Sequence, residues 1–188
     1  MLTLLLIGCT NYVFTAPGAP FELGKLQTAA WAASPIRDGE GGAVLVLSDA
    51  EYSCDELMDD ADAAFESVSV LGSALIFLFQ QEFDGGKEPA ADPYIGLWMD
   101  REPMVDDYER YLYALSYHDG MSYLLGGEES PGLSWVDLSS SEDGATGSFG
   151  TIYWNGDFEA EDCGSLSFGD DERTLDDPDA TYGSDTSF

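Results

Sequence analysis

Residues 108–125 read YERYLYALSYHDGMSYLL and carry the pattern that decides the fold. Large side chains occupy every second position in the first half, which is typical of a β-strand with one face against a core. These side chains are Tyr111, Tyr113, Leu115 and Tyr117. His118-Asp119-Gly120 is a turn signal, and Met121 to Leu125 returns the chain. The stretch therefore predicts a pair of neighbouring antiparallel strands.

Several other segments have the length and composition of strands. Ala43 to Leu47 is a short run rich in β-branched residues, which predicts a buried strand. Val70 to Phe79 predicts a central strand, although its period alone also allows a helix. Phe21 to Ile36 allows either a strand pair or a short helix. Shorter strands are predicted at Tyr94 to Met99, Leu133 to Leu138, Gly147 to Trp154 and Asp157 to Glu161.

One segment has the period of a helix. Ser53 followed by Glu56 forms a capping box, in which each side chain accepts a hydrogen bond from an otherwise unpaired backbone N–H. Apolar residues then recur at helical spacing at Cys54, Leu57, Met58, Ala61, Phe65 and Val68. The sequence therefore predicts a mainly β domain with one helix (α+β). We expect an antiparallel β-sandwich or open barrel, with the helix near 53–68 packed across it.

Asn155-Gly156 is the strongest hairpin signal in the chain. Both central positions of a type I′ turn need a positive φ, which Asn and Gly tolerate best. The dipeptide lies between Tyr153-Trp154 and Phe158, which supply strand-forming residues on either side. We therefore expect a tight turn at 155–156.

The charge balance is extreme, with 37 acidic residues against 6 basic ones and a formal net charge of −31. This balance argues against nucleic-acid binding, which depends on Lys and Arg side chains that neutralise phosphates. It also repels anionic lipid headgroups. Such a surface attracts cations and keeps the protein soluble. It is typical of proteins from salt-loving organisms, and a well-solvated surface in an ordinary organism is the alternative.

The chain starts with a short apolar run, Leu2 to Ile7, followed by Gly8 and Cys9. Leu6-Ile7-Gly8-Cys9 resembles the lipobox of bacterial lipoproteins. The resemblance implies cleavage before Cys9, lipidation of Cys9 and anchoring in the cell envelope, and Thr10 then favours the outer membrane. The alternative is a short edge strand with a buried cysteine, because a secretion signal has a positive segment that is missing here.

The lipoprotein interpretation divides the chain into four parts. A signal-like segment at 1–8 precedes a lipidated cysteine and a polar tether at 9–20. A single β-rich domain follows at 21–168, and an acidic tail at 169–188 has too little apolar content to order itself. No run in the sequence approaches the roughly 18 to 20 apolar residues that span a bilayer. The predicted membrane contact is therefore a lipid anchor.

Cys54 and Cys163 remain once Cys9 carries lipid, an even pair in an exported protein. They form either a disulfide or two buried free thiols. Gly147-Ser148-Phe149 and the segment 155–163 resemble the final strands of uncharacterised bacterial lipoproteins, which end on a cysteine bridged to an earlier one. That resemblance implies export and a disulfide, and it carries no known activity.

The sequence contains no clear catalytic or metal-binding pattern. His118 beside Asp119 offers half of an acid–base pair, but a lone histidine at a turn is usually an exposed polar residue. Neither Cys54 nor Cys163 sits in a Cys-x-x-Cys pair, which argues against a zinc site. We therefore predict that the protein is not an enzyme and holds no cofactor or metal.

Two functions remain from different classes. The first is a structural or protein-interaction lipoprotein of the cell envelope, whose partner is another envelope protein. The second is a module that binds carbohydrate or another envelope polymer by stacking on exposed aromatic rings. The candidate ligand-binding rings are Tyr111, Tyr113, Tyr117, Tyr153 and Trp154. Because aromatic side chains dominate core burial, the same rings pack in the core if they face the helix.

Overall fold

The computed structural model describes residues 11–33, 40–55, 72–83, 94–100, 108–119, 121–126, 134–140 and 144–164. Within these residues the chain forms a sheet of ten strands. Their bounds are β1 Tyr12–Thr15, β2 Thr28–Ala33, β3 Glu40–Ser48, β4 Ser73–Phe83, β5 Gly96–Met99, β6 Tyr108–His118, β7 Met121–Gly126, β8 Trp135–Ser140, β9 Ala145–Gly150 and β10 Trp154–Asp162.

The sheet is curled and open, a half-barrel with the strand order β5-β8-β9-β10-β2-β3-β4-β6-β7, and β1 pairs with β10 beside this path. Neighbouring strands are antiparallel except β10 and β2, which run parallel. That contact is short, joining Glu161 to Ala30 and Asp162 to Trp31. The mainly β fold predicted from the sequence is confirmed.

The strand pair predicted from residues 108–125 is also confirmed. β6 and β7 pair from His118–Met121 to Leu115–Leu124. Asp119 adopts a left-handed φ of 51° in the connection between them. Aspartate tolerates this conformation better than most residues, because its short polar side chain can hydrogen-bond locally. The turn residue in the sequence therefore fixes the register of the pair.

The concave face of the sheet holds the main core. Side chains alternate between the two faces of a strand, and Phe77 and Phe79 on β4 both point into the concavity. Phe77 meets Phe149 of β9 with ring centroids 5.5 Å apart, and Phe79 meets Trp98 of β5 at 5.1 Å. The two halves of the curled sheet thus pack against each other through aromatic and aliphatic side chains.

The convex face carries a second, smaller core cluster. It consists of Ala30, Val44, Val46 and Ile76, all buried. β3 is therefore buried on both faces, since Leu45 and Leu47 point into the concave core. A strand covered on both faces needs apolar residues at consecutive positions. This explains the uninterrupted apolar run that predicted a strand at 43–47.

The turn predicted at 155–156 is wrong. The chain turns earlier, where Thr151 N donates to the Trp154 carbonyl at 2.7 Å and Trp154 N donates to Thr151 Oγ1 at 3.0 Å. β10 then continues through Gly156 as an unbroken strand. A Cβ at Gly156 would lie 2.6 Å from the carbonyl oxygen of Tyr12 on β1. The glycine therefore permits a close approach between strands rather than a turn.

Four further predicted segments are compared with the described residues. Of the helix predicted near 53–68, only residues up to Asp55 are described, and the described part of the chain does not support a helix. The segments 1–8 and 169–188 lie outside the described residues. The tether predicted at 9–20 needs correction, because Tyr12 to Thr15 pair with β10 and the Val13 side chain is buried. The folded sheet thus begins by Tyr12.

Candidate functional site

Cys54 and Cys163 form the disulfide that the sequence allowed, with their Cα atoms 5.0 Å apart. Cys163 follows β10 directly, and its backbone N–H donates to the Trp31 carbonyl of β2 at 2.7 Å. It also packs against the convex cluster. The disulfide therefore fastens the segment around Cys54 to the junction between the two halves of the sheet.

Three of the five predicted ligand-binding rings share one surface. Tyr111, Tyr113 and Tyr117 lie on the convex face of β6, because the alternating residues Leu112 and Ala114 belong to the concave core. All three tyrosines are partly exposed. Each has contacts with neighbouring groups, and Tyr117 packs against the convex cluster. We call Tyr111, Tyr113 and Tyr117 the tyrosine row.

The other two predicted rings lie elsewhere. Trp154 is fully buried on the concave side. Tyr153 packs edge-on against it with ring centroids 5.5 Å apart, and Phe21 packs against the same tryptophan at 4.6 Å. Trp154 is therefore a core residue in this structure and presents no open face for stacking. A ligand surface of stacked rings would consist of the tyrosine row without Trp154.

His118 has a defined partner that sequence reasoning missed. Its Nδ1 is hydrogen-bonded to Ser73 Oγ at 2.8 Å across the β4–β6 pair. The Phe21 ring stacks on the imidazole with centroids 4.7 Å apart. Backbone N–H of Ser73 donates to Asp49 Oδ1 at 2.7 Å, which holds the start of β4 in place. The histidine is thus a partly buried, paired residue rather than the exposed one expected at a turn.

A Ser–His contact invites comparison with a nucleophile and its base. Ser73 is only 3% exposed, so its hydroxyl has little access to a substrate in solution. Among the described residues, no carboxylate is hydrogen-bonded to His118 in the orienting position that a triad needs. The pair joins β4 to β6 near the turn, and this contact fits a structural role.

The most unusual surface of the described residues is the outer edge of β7. This strand ends the sheet, and no described strand pairs with its far side. The exposed fractions are 52% for Met121, 40% for Tyr123 and 52% for Leu124, and Ser122 is exposed as well. The sequence of β7, MSYLLG, carries no charge and no proline. Exposed apolar side chains also occur on β1 (Tyr12, Phe14) and β5 (Leu97), but among the described strands only β7 has four consecutive exposed residues.

The apolar residues of β7 project to both faces of the sheet. Met121 and Tyr123 pair with His118 and Ser116, so they lie on the concave side. Leu124 pairs with Leu115 and lies on the convex side. The Tyr123 hydroxyl donates to the Met121 sulfur at 3.5 Å, which holds the two side chains together. We call Met121 to Leu124 the β7 edge.

Sequence reasoning predicted β7 as a strand but missed that it ends the sheet. Residues 121–127 carry no charge, but longer uncharged runs occur at 26–36, 67–81 and 144–156, so the absence of charge alone does not distinguish this strand. Edge strands normally carry charged residues or proline that prevent pairing with another chain. A strand without either device is a candidate interaction site if it lies at an edge. Its position became evident only from the order of the strands.

The remaining predicted sites are only partly described. Cys9 lies outside the described residues, so the predicted lipidation stays a prediction. Within the described ranges, no group of three or more His, Cys, Asp or Glu side chains is placed to hold a metal ion. The same ranges contain no helix of the length and apolar character needed to cross a membrane.

Comparisons with known proteins found no relative. No family model, no curated protein and no solved structure matches this chain.

Proposed function

We propose that this protein is a lipid-anchored interaction protein of the cell envelope that binds another protein through the β7 edge. The observation that carries the proposal is the exposure of Met121, Tyr123 and Leu124 on a terminal strand. Contiguous exposed apolar patches often mark interaction surfaces, whereas apolar residues scattered singly are normal, and here three apolar side chains lie within four consecutive residues. The envelope location rests on the lipobox resemblance and the disulfide.

The disulfide supports an oxidising compartment. Disulfides persist in exported proteins and are rare in the cytosol, where thiols are kept reduced. The Cys54–Cys163 bond is therefore in keeping with a protein on the outside of a bacterial membrane. The lipobox at Leu6 to Cys9 supplies the anchor in this proposal. Several acyl chains on Cys9 would hold the acidic domain against the repulsion from anionic lipids.

The position of β1 defines how closely the anchor would hold the domain. Tyr12 is the first residue of β1. Each residue of an extended chain spans at most about 3.6 Å, so Tyr12 lies within about 11 Å of Cys9. A lipid on Cys9 would thus keep the domain at the membrane surface. Partners of the β7 edge would then be proteins of the same envelope layer.

The interaction function is tested by photo-crosslinking from single positions in the native membrane fraction. A benzophenone side chain replaces Tyr123 in one variant and Leu97 in the matched control. Leu97 is a similarly exposed apolar residue, 50% exposed, on the opposite terminal strand β5. We expect discrete protein adducts from position 123 and few from position 97. Equal yields from the two positions, or none from either, would contradict the proposal.

The anchor is tested separately by the intact mass of protein purified from the native membrane fraction. A chain that starts at Cys9 and carries acyl groups would agree with the proposed lipoprotein. The mass should rise by two hydrogens on reduction, because the Cys54–Cys163 bond opens. An unprocessed chain with three free thiols would contradict both the anchor and the envelope location.

The tyrosine row favours a second candidate function, the binding of an envelope carbohydrate. Tyr111, Tyr113 and Tyr117 lie on one face of β6 and are partly exposed. Aromatic rings on one face present apolar surfaces with polar tips. Retardation of the purified protein in polysaccharide gels tests this function, with Tyr113→Ala as the variant and Tyr153→Ala as the control. Retardation that Tyr113→Ala removes and Tyr153→Ala leaves unchanged would favour this alternative.

A further inference from the structure

We infer that the β7 edge binds its partner by strand addition, and that the partner segment is extended and positively charged. This inference rests on the proposed interaction function and specifies the chemistry of the partner. In strand addition, an extended segment adds to an open sheet edge through main-chain hydrogen bonds, and its alternating side chains give specificity.

The distribution of apolar groups favours an added strand over other modes of binding. Met121 and Tyr123 lie on the concave side of the sheet, whereas Leu124 lies on the convex side. A ligand on either face would cover only part of this set. An added strand places side chains on both faces at once, because its residues also alternate. It would cover all three exposed side chains while it pairs with the backbone.

The backbone of β7 is regular where the pairing would occur. Its register with β6 is continuous from Met121 to Leu124, and the irregularity between Ala114 and Leu115 comes only after that stretch. Along an antiparallel strand, the backbone N–H and C=O groups of successive residues alternately bond to the paired strand and point away from it. The Ser73 N–H and C=O both bond to Asp49 on the β3 side, so the backbone groups of His118, opposite Ser73, are directed toward Met121. By alternation, we infer that the N–H and C=O groups of Ser122 and Leu124 point toward the open edge.

The curl of the sheet leaves this edge available. The opposite end of the sheet, β5, comes close to β6 rather than to the outer side of β7. Ser134, just before β8, donates from Oγ to the Leu125 carbonyl at 3.4 Å near the end of β7. Among the described residues, no strand pairs with the outer side of Met121 to Leu124. An added strand would extend the half-barrel by one position.

The net charge of this protein favours a positively charged partner. A second copy of this chain would bring another charge of −31 to the edge, and the two copies would repel each other. A positively charged segment would instead be attracted. The β7 edge itself carries no charge, so the attraction would come from the net charge of the whole chain and would steer the partner rather than form fixed ion pairs at the edge. Added salt should slow association, because charges separated by more than about 10 Å are screened at 0.1 M.

The test uses the full chain with its disulfide intact and three synthetic peptides. In the first peptide, Val occupies every second position and Lys or Thr the positions between. This is the pattern of a strand with one apolar and one cationic face. The second has Glu in place of Lys. The third keeps the first sequence but is N-methylated at alternate residues, so that it has the same charge and cannot complete the backbone pairing. Amide exchange by NMR and binding by calorimetry are measured for each.

We expect the first peptide alone to slow the exchange of the Ser122 and Leu124 amides. The protein variant Ser122→Pro removes one outward N–H and is compatible with an edge strand. It should weaken binding by about tenfold, the effect of losing one main-chain hydrogen bond and some packing. Ser122→Ala keeps the N–H and should bind within about twofold of the wild type.

Three results would overturn the inference. Equal binding of the N-methylated peptide would indicate charge attraction without pairing. Wild-type affinity in Ser122→Pro would remove the β7 edge from the contact. Protection of the same amides without peptide, together with a dimer in sedimentation, would identify a second copy as the occupant. The crosslinking experiment in native membranes is independent of these results. Protein adducts from position 123 would still support the interaction function even if binding by strand addition were ruled out.

Discussion

The two terminal strands of the sheet, β5 and β7, differ in how well their open edges are protected from pairing with another chain. β5 has four residues, from Gly96 to Met99, and starts at Gly96 with a φ of 108°. Trp98 is fully buried and donates from Nε1 to the Tyr94 carbonyl at 2.7 Å. Asp100 follows at once and accepts from the Ser134 N–H at 3.1 Å. A short edge that bends and ends on an aspartate offers little to another chain.

β7 lacks each of these devices. It is longer, with six residues, and although neither strand carries charge or proline, no charged residue follows β7 until Glu128, whereas Asp100 follows β5 at once. Four consecutive residues from Met121 are exposed, and three of them are large and apolar. The short length of β5 and the adjoining Asp100 thus protect one end of the sheet from pairing with another chain, whereas β7 at the other end has neither feature. The unprotected end is where we place the partner.

The largest expected effect comes from Trp98→Ala, which tests whether β5 is part of the core. Removing this buried ring should lower the free energy of unfolding by about 3–5 kcal/mol. Leu97→Ala, its exposed neighbour, should change that free energy by no more than about 0.5 kcal/mol. Urea unfolding measures both. A small effect of Trp98→Ala would mean that β5 is as loosely held as β7, and the comparison would fail.

Loss of the disulfide tests whether the two edges depend on the junction between the halves of the sheet. The double variant Cys54→Ser with Cys163→Ser opens a link between residues 109 positions apart. We expect the free energy of unfolding to fall by about 2–4 kcal/mol. Since β7 is far from Cys163 in the strand order, peptide binding at the β7 edge should be unchanged. Loss of that binding in a folded double variant would contradict our account of β7 as an independent edge.

Asp100→Ala tests the aspartate that ends β5. The change leaves the buried Ser134 N–H without the Asp100 Oδ2 acceptor, which should cost about 1–3 kcal/mol. Asp100→Asn retains an oxygen acceptor and is the matched control, with a smaller expected loss. Thermal unfolding distinguishes the two variants. Equal losses would assign the effect to charge rather than to this hydrogen bond.

The smallest effect on stability is expected from Leu124→Lys, which gives β7 the protective charge that it lacks. Leu124 is half-exposed, so the free energy of unfolding should change by no more than about 0.5 kcal/mol. Binding of the cationic peptide should nevertheless be lost, because the lysine repels it and is a typical blocking residue of edge strands. Leu97→Lys on β5 is the control and should leave binding intact. Unchanged binding in Leu124→Lys would remove the distinction between the two edges.

The strands could be predicted from the sequence where their signals are local. The alternation from Tyr111 to Tyr117 and the apolar run of Ala43 to Leu47 each report how one strand is buried. β1 was missed because four residues are too few to show a period. The turn at Gly156 was predicted wrongly because the residue is a glycine for a different reason. It leaves room for the Tyr12 carbonyl of β1, a contact between residues distant in sequence.

The candidate site depends on contacts that no local pattern encodes. Counting left Cys54 and Cys163 as either a disulfide or two free thiols. The partner of His118 gave no local signal at all, since Ser73 lies 45 positions away along the chain. Likewise, the composition of β7 is visible in the sequence, whereas its position at the end of the sheet follows from the order in which all the strands pair. The same peptide in a central strand would simply be buried.

The most direct measurement is hydrogen–deuterium exchange of this protein in native membrane vesicles and after purification, followed by mass spectrometry of fragments from the two terminal strands. Our account predicts that exchange in 119–126 is slower in the vesicles than in the purified protein, because a partner strand covers the β7 edge. Exchange in 94–100 should be the same in both samples. Equal exchange of 119–126 in both samples, or slowing confined to 94–100, would contradict the assignment of β7 as the edge that binds the partner.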